Sequence, residues 1–338
     1  MKSRKRYVTL IIGLAILLIA AVIFSFCMGR YVVSVPTTLE TLWKGIFFGK
    51  DSVKLADYNV IFHLRMARIV GAVFIGAALA VSGSTYQSVF RNPLAAPELL
   101  GVFHGACVGA ALAILMSGSV ALIQVLALIG GLAAVGLTLM LTRFFHNNST
   151  ATLVLAGVIT TGLMRSILGL LKYVADPETQ LPSITYWELG SLANLTLATF
   201  FKIAPTMFLT FLALYLLRWR FNVLSLGDEE AQVLGENVKK IRFLVVFLST
   251  LLTSCAVSLG GNIMWVGLVI PQLGRMIVGP DNTRLLPVTA FMGAIFLLII
   301  DTLARSIAGV EIPLSILTGI IGAPIFIILV FGKSRKEV

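Results

Sequence analysis

A few groups of residues in this chain have the types and spacing for chemistry. Arg65 and Arg68 stand at the head of an uncharged run of 22 residues, Ile69 to Phe90, and Arg305 closes a later apolar run. A guanidinium can pair bidentately and directionally with a carboxylate; the residues alone read as long cations snorkelling at helix ends. Arg165 falls inside an apolar run, where a charge is costly and therefore suspicious of function. It either pairs with Asp301 or stands near the end of its span. Asp228-Glu229-Glu230 reads as the first turn of a short surface helix that Asp228 caps and Gly235 stops. His104, alone among small residues, reads as structural. Cys27, Cys107 and Cys255 are scattered through apolar runs and form neither a disulfide framework nor a ligand set. The run Gly45 to Asp51 is one residue short of a phosphate-binding loop and ends in Asp, so ATP hydrolysis is not expected here. No catalytic residue, metal site or cofactor is expected on this chain.

The elements that must position these residues are membrane helices. Of 338 residues 58% are hydrophobic and 12% charged, with a mean hydropathy of +0.98; soluble chains average about 25% charged. The net charge of +11 sits at the ends of apolar runs rather than on one soluble face, which excludes nucleic acid as the natural partner and points to membrane orientation. Residues 1–338 read as a single membrane domain. Tyr7–Gly29, uncharged over 23 residues, is too long for a signal-peptide core and reads as a retained first span. A polar connection, 30–58, leads to a second span from about Ile61 to Arg91. Pro97-Glu98 then reads as a helix start. Leu99–Thr142 is 44 residues without a charge, divided by Ser117-Gly118-Ser119 into a third and a fourth span. After a polar turn at His146, Asn147 and Asn148, a fifth span covers Thr150–Val174. A short interfacial helix is expected within 176–196, and a sixth span over Leu197–Leu217, followed by a polar stretch, 218–242. Phe243–Gly274 is broken at Gly260-Gly261-Asn262 into a seventh span and a shorter eighth helix. Leu285–Arg305 and Ile312–Gly332 complete about ten transmembrane helices in an all-α polytopic fold. That count puts 16 of the 26 Lys and Arg on one face, which the positive-inside bias makes cytoplasmic, together with both termini.

Several stretches resemble one family. Arg65-x-x-Arg68, Gly76-Ala77-Ala78-Leu79-Ala80-Val81-Ser82-Gly83, Gln87 and the elbow Arg91-Asn92-Pro93-Leu94-Ala95-x-Pro97-x-x-Leu100-Gly101 look like the permease of type II ABC importers for ferric siderophores, haem and cobalamin. Gly261 to Arg275 and Glu311 to Pro324 resemble two further signatures of that family. The chain departs from the family's pattern at Ala67 for Pro, and at Gln272 and Asn282 where the family usually has His; the last two are expected to affect packing rather than choice of substrate. Ser315 replaces a usual Gly.

The resemblance implies roles. Arg65, Arg68 and Arg305 would receive acidic residues of an extracytoplasmic substrate-binding protein. Leu226, Gly227, Asp228, Glu229, Glu230, Ala231, Leu234 and Gly235 would form the coupling helices seated in an ATP-binding subunit. Asn92, Pro93 and Leu94, with Thr150 facing them, would form the cytoplasmic gate, and Arg165 would line the pathway. The partners implied are a second permease copy, identical or similar, two ATP-binding subunits carrying ATP and Mg, the binding protein and membrane lipid. The place implied is a bacterial or archaeal cytoplasmic (inner) membrane. The cargo implied is an iron chelate, a siderophore first and then haem or cobalamin, with oxyanions also open. The rival class is a secondary transporter driven by an ion gradient, which also uses broken helices but wants ionisable residues in mid-membrane. A channel or scaffold, needing no partners, is the third.

Overall fold

The computed structural model describes residues 2–144 and 150–334. The turn at His146, Asn147 and Asn148 lies outside the described residues, as do Arg335 and Lys336. Helix follows helix, with no strand among the described residues. In chain order they are α1 Lys2–Cys27, α2 Val35–Phe47, α3 Leu55–Tyr58, which runs through a π-type stretch Asn59–Arg65 into α4 Met66–Val89, then α5 Val102–Leu115, α6 Val120–Phe144, α7 Thr150–Val174, α8 Gln180–Leu189, α9 Leu197–Leu226, α10 Asp228–Val233, α11 Val238–Gly260, α12 Val266–Val278, α13 Asn282–Ala304 and α14 Leu314–Ser334. Seven of the described helices are long and apolar enough to cross a membrane, and α5, α12 and most of α14 are shorter apolar helices. At about 1.5 Å per residue α12 spans roughly 20 Å, short of a bilayer core of about 30 Å.

Four local readings are corrected. The connection 30–58 contains α2, an amphipathic helix whose start is fixed by the Ser34 hydroxyl accepting from the Thr37 amide at 3.3 Å and by Pro36 in its first turn. Helix α9 continues past Leu217 to Leu226, so Arg218 and Arg220 ride on a helix; Arg218 lies 3.8 Å from the centre of the Tyr215 ring. Pro97 opens a single 3-10 turn, Pro97–Leu100. Gly101 then reverses the backbone at φ 80 before α5 begins at Val102. Finally, Asp228 is the first residue of α10 and Gly227 occupies its cap.

Helices α4, α11 and α13 form the buried centre, while α1, α6, α7 and α9 turn apolar side chains outward. Small residues let the central backbones meet, as packing in lipid favours. A Cβ on Gly76 would lie 2.2 Å from the Gly293 carbonyl of α13, and one on Gly83 would lie 1.8 Å from the Gly267 carbonyl of α12. On α14 a Cβ on Gly322 would come within 2.7 Å of the Trp265 side chain, and one on Gly319 would lie 3.8 Å from it. Basic groups gather at one end. Arg284 at the head of α13 faces the Tyr7 ring of α1, and Arg91, Arg242 and Arg275 belong to the same end.

Candidate gate and coupling site

The elbow between α4 and α5 is held from three sides. Arg91 turns at φ 50, an uncommon conformation for a residue with a side chain. The Asn92 carboxamide then accepts the Leu94 amide at 2.9 Å, an Asx turn that fixes Pro93 between them. Gln272 of α12 donates its side-chain amide to the Pro93 carbonyl at 2.7 Å. On the far side α7 presses against the rising limb: a Cβ on Gly157 would lie 1.9 Å from the Leu99 carbonyl. Leu94 itself is 50% exposed. Thr150 opens α7, which brings that helix's first turns to the elbow, but its side chain lies outside the described residues.

One step below, α10 is short and tightly turned at both ends. Gly227 sits at φ 152, and a Cβ there would strike the Glu230 carboxylate. At the other end Gly235 adopts φ 82, and the Glu236 amide bonds the Ala231 carbonyl at 3.0 Å, closing the turn. Ala231 is fully buried, whereas Leu226, Val233 and Leu234 are exposed apolar residues, Val233 at 88%. Asp228 pairs with Arg242 at 2.7 Å and with Arg91 at 3.4 Å. The hydrogen bond from Arg242 holds its carboxyl below the usual carboxylate range. A polar network therefore joins α10 to the elbow: Asp228 to Arg91, and Ser225 to the Ser88 carbonyl at 3.3 Å. Ser88 bonds Asn282 at 2.7 Å, and Asn282 in turn bonds Asn222 of α9. Arg275 donates to Gln87 and so ties α12 to the last turn of α4.

At the opposite end the three arginines are turned inward. Arg65 is 4% exposed and gives its guanidinium to the carbonyls of Phe26 and Tyr31. Arg68 pairs with Asp301 at 2.6 Å and with both oxygens of Glu311 at 2.8 and 2.9 Å. Arg305 donates to Met28 O at 2.6 Å and to Ser25, with its Nε 3.6 Å from Asp301. Asp301 is wholly buried. Gly29 is required where these groups converge, at φ 147 with a Cβ that would lie 2.8 Å from Arg65. The snorkelling reading is thus corrected: the chain's own acids and carbonyls occupy these three cations. Asp301 is taken by Arg68 and Arg305, which excludes the suggested pairing with Arg165.

Residues 17–332 match the FecCD transport family. The chain belongs to that family. It is 39% identical over 330 residues to the molybdate import system permease protein MolB of Haemophilus influenzae, covering 97% of both chains. It is 38% identical to the hemin transport system permease protein HmuU of Yersinia pestis, covering 96% of each. A solved ABC transporter assigned to the metal-chelate type, in an inward-facing conformation, superposes with a TM-score of 0.86 at 38% identity over 96% of this chain and 99% of that one.

In this FecCD-family chain the departure Gln272 sits at the elbow and the departure Asn282 beside the last turn of α4, where each makes the hydrogen bonds described above. The sequence marks them as packing residues, and their amide types are the available signal for polar bracing. In the sequence Glu311 is visible only as part of a signature, and its pairing with Arg68 comes from the fold. Arg165 is exposed on α7, on a face shared with Val158, Ile159 and Gly162. His104 is partly buried on α5, its Nδ1 lacking a hydrogen-bond partner.

Proposed function

We propose that this chain is the membrane-crossing subunit of an ATP-driven importer, working with a second copy, two ATP-binding subunits and an extracytoplasmic binding protein. Its relatives are named as permeases, and the chain itself performs no covalent chemistry in this reading; ATP and Mg belong to the partner ATPase. The observation that carries it is α10: a short helix between two spans, with Leu226, Val233 and Leu234 exposed and Asp228 wired to the elbow through Arg91. An ATP-binding subunit gripping those residues would move α10, and the Arg91 and Ser225 contacts would carry that movement to Asn92, Pro93 and Leu94 as an inner gate. Thr150 is assigned to the facing side of that gate.

The basic end of the molecule is assigned to the cytoplasm of a bacterial or archaeal inner membrane, with ten crossings and both termini inside. Docking of the binding protein is assigned to the Arg65, Arg68 and Arg305 end, where an incoming carboxylate reaches Arg68 by displacing Glu311. The cargo class is a metal chelate, an iron siderophore or haem before cobalamin; the molybdate relative keeps an oxyanion in the same class of anionic cargo, which Arg165 suits. Two measurements test the reading together: co-purification with an ATPase subunit, and vanadate-sensitive uptake into liposomes enclosing the complex with binding protein outside. Uptake driven by a proton or sodium gradient, with no ATPase present, would sink it.

A further inference from the structure

We propose that the cavity among the ends of α6, α7 and α11 at the basic face binds the phosphate headgroup of an anionic phospholipid. The cavity encloses about 370 Å³. Its deep wall is apolar, made by Phe90, Leu139, Leu153 and Val246, and its mouth carries Arg143, Lys239 and Arg242 against one carboxylate among the described residues, that of Asp228. Three cations and one carboxylate leave an excess of two positive charges. Asp228 is already shared between Arg242 and Arg91, and the buried Nε of Arg242 has no hydrogen-bond partner. The apolar wall also continues beyond the cavity. Phe243, 54% exposed, lines it on α11, and Phe247, one turn farther into the span, is 45% exposed. A cationic mouth leading onto an apolar strip along a membrane helix fits an amphiphile, with phosphate at the mouth and acyl chain on the strip. A free phosphate would use the mouth alone. The assignment rests on the basic face lying at the membrane surface, as proposed above, where each basic side chain strengthens attraction to anionic lipid about fivefold. Because Arg242 also anchors Asp228 at the start of α10, such a lipid shares a cation with the coupling helix.

The test uses the full-length chain purified alone, so it needs neither ATPase nor cargo and its failure is separate from any failure of the transport reading. Native mass spectrometry measures retention of phosphatidylglycerol against phosphatidylcholine of equal chain length. The wild type is expected to retain the anionic lipid preferentially. The double variant Arg143→Gln, Lys239→Gln, both exposed, is expected to lose that preference by about tenfold or more, with an unchanged melting temperature showing that it folds. Lys202→Gln, an exposed cation elsewhere, is expected to keep it. An equal preference in wild type and double variant overturns the proposal. So does displacement of the retained lipid by millimolar inorganic phosphate, which would assign the mouth to a free anion.

Discussion

Arg68 shows how two acids around one cation can have opposite effects when removed. Asp301 is wholly buried and also supports Arg305, so Asp301→Asn leaves two buried guanidiniums short of charge. Breaking a buried pair by removing one partner costs about 3–5 kcal/mol, and a large fall in melting temperature of the purified permease is expected. Glu311 is partly exposed, with 23% of its side chain accessible. Glu311→Gln should leave a folded protein whose Arg68 is easier for an outside carboxylate to reach, tightening binding-protein association about five- to tenfold, as read by surface plasmon resonance. Weaker association would show that Glu311 helps docking instead of competing with it. The pair also sets a pH dependence. Burial raises the Glu311 carboxyl, but the hydrogen bond and charge of Arg68 more than offset this and hold it below its ordinary 4.5. A depressed carboxylate contributes stability that is fully present above its unfolded value and is lost as pH falls through the folded one. The melting-temperature gap between wild type and Glu311→Gln should therefore stay flat from about pH 8 to about pH 6 and close only below about pH 4.

Among elements, the elbow is the one whose shape depends on its neighbours. The Asx turn at Asn92 is local, but the path of the rising limb is set by Gln272 from one side and Gly157 from the other. Gln272→Leu removes one hydrogen bond, worth about 1 kcal/mol, and leaves the helices packed. It should lower cargo moved per ATP hydrolysed by about fivefold in proteoliposomes while the melting temperature barely moves; an unchanged ratio would remove Gln272 from the gate. Gly157→Ala puts a Cβ 1.9 Å from the Leu99 carbonyl and should destabilise by about 1–3 kcal/mol, read as a lower melting temperature. The long helices were legible because uncharged runs of fixed length report them directly, and the break at Gly260-Gly261-Asn262 because glycine marks it. Helix α2 was not, since its apolar positions Leu39, Trp43 and Phe47 are interleaved with Glu40, Lys44 and Gly45 and a search for uncharged runs passes over it. Proline at position 97 suits a helix start and a 3-10 turn alike; Gly101, whose positive φ breaks the helix, carries the information that separates them. The elbow and coupling residues were legible as motifs, but their wiring through Asn222, Ser88 and Asn282 joins positions far apart in sequence, and only packing reveals it.

At the scale of the whole molecule, α7 is the outer helix whose exposed face is least suited to lipid. It presents Leu155, Val158 and Ile159, but also Gly162, Arg165 and Ser166, and a charge facing hydrocarbon inside a span costs about 2.5 kcal/mol or more. Helix α14 adds exposed Ile316 and Ile320. If a second copy stands against this side, Arg165 faces a shared path in place of lipid, and the cost becomes a binding contribution toward an anionic cargo. The two arrangements predict opposite results for one substitution. With α7 on the path, Arg165→Gln raises the KM for an anionic cargo about tenfold, the equivalent of one charged contact; Arg165→Lys restores most of it, and the melting temperature is unchanged. With α7 facing lipid, Arg165→Gln raises the melting temperature by relieving the cost of a charge in hydrocarbon and leaves uptake as it was. Uptake kinetics and thermal melting of the same three proteins, in the same lipid, separate the two.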